Sequence, residues 1–216
     1  MGAKLANMNP LLCRTTFLLV LALFQTTRVP KKNQQQAYLY RPDQIVDLDS
    51  KKTVAAKEQC ENWALAAGLE AMLRDEKVAL EQSFWVMRMN GGLLCAPTLP
   101  PWDTLARLVN REFVLDDGRH VRLELHFTAG APADIDSIIA RLQRQQISLM
   151  IWHGHPYYLV GATYDEHVGR DGSRLYEIKE LRLANTFAGV PGVTFQKGRD
   201  DAGAIGGIVT VSASQL

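Results

Sequence analysis

The sequence predicts an α+β protein, helical in its first half and a mostly antiparallel sheet in its second. Two patterns carry that prediction. The apolar residues Leu65, Leu69, Met72 and Leu73 fall at i, i+4, i+7 and i+8, one stripe of a buried helix. From Val121 to Phe127 apolar and polar residues alternate, as in a half-buried strand, and strand-like runs follow at 147–152, 157–164, 175–183 and 205–212.

The 216 residues divide into a leader and linker (1–36), a helical part (37–115) and a strand-rich part (116–216). Lys4 and Arg14 precede the apolar run Phe17–Phe24. That run is far short of the ~20 residues needed to cross a bilayer but matches the core of a secretory signal. No small-x-small cleavage site follows it, and a short membrane-associated leader is the alternative. The expected location is secreted or periplasmic, with no stable membrane span in the mature chain. Residues 30–36, Pro-Lys-Lys-Asn-Gln-Gln-Gln, read as a flexible linker. A formal charge of +1, with no basic cluster in the body, leaves no electrostatic footprint for nucleic acid.

Residues 38–48 suit an extended arm or strand. A helix should then run from about Cys60 to Asp75, with Cys60 in its first turn. A second helix is expected around Ser83–Arg88, ended by Asn90-Gly91-Gly92, where Asn and Gly accept the positive φ of a helix stop. Leu94–Pro101 is a Pro-containing loop, and a short helix carrying Trp102, Leu105, Leu108 and Val109 starts after Pro101. Asp116-Asp117-Gly118 marks a turn, and Ile135, Ile138, Ile139 and Leu142 mark one more amphipathic helix. Asp171-Gly172 is a hairpin-type turn between two of the later strands.

The chemistry-bearing candidates are Cys60, His155 and Asn185. At a helix N-terminus the free backbone N–H groups and the macrodipole favour negative charge, which lowers a thiol's pKa. Such a thiolate is a nucleophile only with a base beside it. His155 opens a strand, where it can face a cleft, and Asn185 ends the strand of residues 175–183. If those strands are antiparallel neighbours, Asn185 can accept from the imidazole and fix its tautomer. His126 alternates with apolar neighbours and reads as a surface residue, while His120 and His167 lie in polar, turn-rich sequence. His153 and His155 form a pair without a matching carboxylate or cysteine, a weak metal signal. No phosphate loop, Gly-x-Ser-x-Gly elbow or cofactor motif is present. With the leader removed, Cys60 and Cys95 are the two remaining cysteines, and in an exported chain a disulfide between them competes with a catalytic Cys60.

Several stretches in order resemble the papain-like cysteine peptidases. They are Cys60 followed by Trp63-Ala64, Glu81-Gln82-Ser83 followed by Asn90-Gly91-Gly92, Gly154-His155-Pro156 followed by Val160-Gly161, Tyr176 to Asn185-Thr186-Phe187, and Gly206-Gly207-Ile208. The resemblance spans about residues 57–212. It implies a two-lobed fold, a helical first lobe against an antiparallel β second lobe, and a peptidase or amidohydrolase acting on a peptide or protein substrate without a cofactor. His155 would take the proton of Cys60, the thiolate would form an acyl-enzyme, and Asn185 would hold His155. Departures from the family are visible. Glu61 and Asn62 separate Cys60 from Trp63, Val54 stands where the family has its oxyanion-hole Gln, and Met89 replaces the cysteine before Asn-Gly-Gly. They leave open a catalytically inactive binding protein with Cys60 in a disulfide.

Overall fold

The computed structural model describes residues 39–132 and 135–216, so the expected leader and linker at 1–36, with Cys13, lie outside the described residues. Those residues form four α-helices and eight strands. Strand β1 (Leu39–Asp47) is followed by helices α1 (Glu61–Asp75), α2 (Gln82–Asn90) and α3 (Trp102–Val109). Then come β2 (Glu112–Val114), β3 (His120–Ala129), α4 (Ile135–Gln143), β4 (Leu149–Trp152), β5 (His155–Val168), β6 (Arg174–Asn185), β7 (Val193–Gln196) and β8 (Ile205–Gln215).

Helix α1 is the centre of the core. Leu65, Leu69 and Leu73 are wholly buried, as the apolar stripe requires, and each such side chain contributes about 1.5–3 kcal/mol by leaving water. The stripe understates the burial, however, because Ala64, Ala66, Ala67 and Gly68 are buried as well. Small residues on those faces let other elements close around the helix, and Leu149 of β4 lies directly on Gly68. Helix α2 stops where Gly91 takes a φ of 69° and returns its N–H to the Met87 carbonyl. Pro101 caps the start of α3, whose buried residues are Leu105 and Val109.

All eight strands join one sheet in the order β2-β3-β8-β4-β5-β6-β7, and β1 pairs with β5. Every strand pairing is antiparallel. β5 has 14 residues, long enough to hold β4 along its first part and β1 along its second. Strands β2 and β7 have only three and four residues and carry too little pattern for the sequence to announce them. Three features position the site. His155 begins β5, Asn185 ends β6, and the β5–β6 register sets Tyr157 opposite Asn185. The antiparallel pairing therefore brings the start of one strand beside the end of the other.

Candidate functional site

His155 is delivered by a two-residue hairpin. Trp152 pairs with His155, and His153 and Gly154 between them have φ values of 50° and 80°. Two successive positive φ angles define the turn whose twist matches flanking antiparallel strands. Gly154 takes this conformation without strain, and His153 follows it on an exposed tip.

The imidazole is held from both sides. His155 Nε2 lies 3.2 Å from Asn185 Oδ1 and 3.2 Å from Thr186 Oγ1. The Phe187 N–H donates to Asn185 Oδ1 at 2.8 Å, which identifies that atom as the oxygen. The Thr186 hydroxyl donates to the Pro156 carbonyl at 3.1 Å, so its oxygen too is free to accept from the ring. Both partners of Nε2 are thus acceptors, and Nε2 carries a hydrogen. On the other side, Nδ1 lies 2.9 Å from Glu61 Oε2. The aromatic rings of Tyr157 and Phe187 flank the imidazole, with centroids at 4.6 and 4.7 Å. Burial, and secondarily the Glu61 charge, push the Tyr157 hydroxyl above its usual range.

Glu61 is the first residue of α1, so its carboxylate sits where the helix dipole favours negative charge. Cys60, the residue before it, is the N-cap, and its sulfur is bonded to Cys95. Of the two states the sequence left open for Cys60, a free catalytic thiol or a disulfide to Cys95, the structure has the disulfide. Cys60 is one half of a cystine, and the side chain facing His155 belongs to Glu61. The other two expected site residues, His155 and Asn185, are brought together. Nδ1 faces the Glu61 carboxylate and Nε2 faces the Asn185 and Thr186 oxygens, so both ring nitrogens have side-chain partners within the protein.

A set of hydrogen bonds ties the loop after α2 to the start of α1. Asn62, only 1 % exposed, donates from Nδ2 to the Leu94 carbonyl at 2.8 Å and accepts from the Ala96 N–H at 2.9 Å. The Glu61 N–H donates to the Ala96 carbonyl at 3.1 Å. Together with the cystine, these bonds fix the loop running to Pro101, which walls a cavity of about 580 Å³ lined by Glu61, Leu99, Trp102, Ile151 and His153. A second cavity of about 490 Å³ lies at the Asn185 end of the row, lined by Val54, Tyr158, Phe187 and Val190.

Two positioning residues escaped sequence reasoning. Gln82, 1 % exposed, accepts from the Lys57 N–H at 2.9 Å and donates to the Ala55 carbonyl at 2.9 Å. It secures the segment before Cys60, whose Ala56 N–H donates to the Thr186 carbonyl at 2.8 Å. Glu61 itself reads in the sequence as an insertion between Cys60 and Trp63; its place directly after a helix cap is the signal that could have found it.

Among the described residues no group of three or more His, Cys, Asp or Glu side chains is arranged to hold a metal ion. None of the described helices is long and apolar enough to cross a membrane. Comparison with protein-family models, curated proteins and solved structures gave no match.

Proposed function

We propose that this chain is a peptide-binding protein of papain-like, two-lobed architecture in which a carboxylate stands where the nucleophile would act. One observation carries the reading: Glu61, not a thiol, faces His155 at 2.9 Å, while Cys60 is bonded to Cys95. The ordered row Glu61, His155 and Asn185, bridging a helix start and two strand ends, supports the papain-like architecture. The cavity beside Glu61 supports the ligand class. Its walls are mainly Pro97, Leu99, Pro100, Pro101, Trp102 and Ile151, suited to an apolar side chain of an extended chain, with Glu61 placed to accept a main-chain N–H. The cystine supports export to an oxidising compartment.

A second reading keeps the thiol peptidase. It is favoured by Cys95 being exposed and Cys60 adjoining Glu61, so that reduction would release a thiol at the start of α1. One experiment separates the two. A fluorescently labelled, reduced and carboxymethylated lactalbumin, an unfolded chain, is followed by anisotropy and by gel, with and without dithiothreitol. Saturable binding without cleavage in both conditions supports the binding protein, and weaker binding by Trp102→Ala locates the groove. Cleavage that appears only with dithiothreitol supports the peptidase. Absence of any binding overturns the proposal.

A further inference from the structure

A second concave site lies away from the Glu61 row, in a groove between α4 and the paired strands β3 and β8. Its volume is about 260 Å³, just below the range of drug-sized ligand sites, which starts at about 300 Å³, and so suited to a smaller ligand. The lining has one sign of charge. Arg141 and Arg144 reach it from α4 and the turn after it, His126 and Thr210 from facing positions of β3 and β8, with Thr128 and Ser148 beside them.

Arg141 is the informative member. It is half-buried, and its bonds go to neutral acceptors: Nε to Ser148 Oγ at 2.9 Å and Nη2 to the Ile147 carbonyl at 2.8 Å. Arg144 likewise donates from Nε to Gln146 Oε1 at 3.1 Å. Neither guanidinium has a carboxylate within ion-pair distance among the described residues, whereas Arg174 and Arg182 both rest on carboxylates at about 3 Å. On β3, Glu124 is exposed and lies 3.9 Å from His126 Nε2. Burial, and then the Arg144 charge, pull the Arg141 guanidinium below its usual range, with Glu76 and Asp75 acting the other way. Those two carboxylates act from beyond ion-pair distance, so among the described residues the half-buried guanidinium has no direct salt bridge, and an anion in the groove would meet it. Ser148 accepts from Arg141 and keeps its own hydroxyl proton to donate.

We infer that this groove binds a small tetrahedral oxyanion, a phosphate or sulfate group, between the Arg141 and Arg144 guanidinium groups and the hydroxyls of Thr128, Ser148 and Thr210. Guanidinium forks match the oxygen spacing of such groups, and hydroxyls complete the tetrahedral shell. The inference rests on residues that play no part in the Glu61 site and stands or falls independently of it.

The test is titration of the full chain with inorganic phosphate, sulfate and phenyl phosphate at constant ionic strength held with chloride, read by calorimetry and thermal midpoint. Phosphate and sulfate should bind saturably and raise the midpoint where chloride does not. Arg144→Gln and Thr210→Val, at exposed and partly exposed positions, should each weaken binding about tenfold, the loss of one charge-assisted or one hydroxyl contact. Phenyl phosphate binding at least as well as phosphate identifies a phosphomonoester as the natural class; binding of the inorganic ions alone identifies the free ion. An equal midpoint shift with chloride, or binding unchanged in both variants, overturns the inference.

Discussion

The carboxylate of Glu61 stands 2.9 Å from Nδ1 of His155, and Asn185 holds the opposite ring nitrogen at 3.2 Å. A helix start and two strand ends therefore meet at one imidazole whose two nitrogens are both engaged. Several measurable consequences follow from this arrangement and from the contacts that support it.

Replacing Glu61 by cysteine should convert the row into a reactive thiol–imidazole pair, because the new side chain would face Nδ1 from the first turn of α1. Iodoacetamide should modify that thiol on the order of ten times faster at neutral pH than a cysteine placed at the exposed Glu58 position. Peptide mapping checks that the Cys60–Cys95 link is retained. Equal rates would mean that the residue 61 side chain does not meet the imidazole.

Asn62→Ala removes the two side-chain bonds that join α1 to the loop after α2, leaving the Leu94 carbonyl and the Ala96 N–H without this partner. The expected loss is about 2 kcal/mol in denaturant unfolding, with weaker peptide binding because the loop walls the Glu61 cavity. A variant as stable as the parent would show that the cystine and the Glu61 N–H bond to the Ala96 carbonyl suffice to hold the loop.

Reduction of the Cys60–Cys95 bond should cost about 4 kcal/mol, the chain-entropy value for residues separated by 35 positions. The check is urea unfolding with and without dithiothreitol, and an unchanged midpoint would contradict a structural role for the cystine.

Gly68→Ala should destabilise by about 1–3 kcal/mol, since an added Cβ would collide with Leu149 Cδ1 in a packed core. Thermal unfolding reads this directly, and a neutral effect would mean that β4 does not press on α1 there.

Acid should loosen the anchoring of β1. Asp165 accepts from Lys179 at 2.8 Å, from the Asp43 N–H at 3.0 Å and from the Tyr40 hydroxyl at 2.7 Å. The Lys179 contact foremost, then the Asp43 N–H and the Tyr40 hydroxyl, hold its carboxyl down at about 2 against a usual value of 3.8. A carboxyl lowered in the folded state contributes stability that is fully present above its usual value. That contribution is lost as pH falls from the usual value through the folded one. Thermal midpoints taken from pH 6 to pH 2 should therefore show a smaller acid-side decline in Asp165→Asn than in the parent. Identical slopes would remove Asp165 from the acid response.

Much of the fold was legible because it follows periodicity. The α1 stripe, the Asn90-Gly91-Gly92 stop, the helix after Pro101 and strands β3, β4, β5, β6 and β8 all lie where apolar spacing and turn residues put them. β2 and β7 escaped because three or four residues with one buried side chain cannot display alternation, whereas the equally short β4 sits in a continuous apolar run. At the site, the meeting of His155 and Asn185 was readable as a consequence of antiparallel pairing between adjacent strands. The substitution of Glu61 for Cys60 was not. Successive residues in a helix differ by about 100° in direction, so a one-residue uncertainty in the helix start decides which side chain faces the imidazole. The sequence admitted both states of Cys60, and only the approach of the loop carrying Cys95 selects the cystine.

The most direct test of the central claim is peptide mapping of the native protein, alkylated at neutral pH without reductant. A cystine structure with Glu61 at the imidazole requires Cys60 and Cys95 to be recovered in one linked pair, unmodified until dithiothreitol is added. Selective alkylation of Cys60 before reduction, slowed by His155→Ala, would contradict it and restore the thiol to the position assigned here to Glu61.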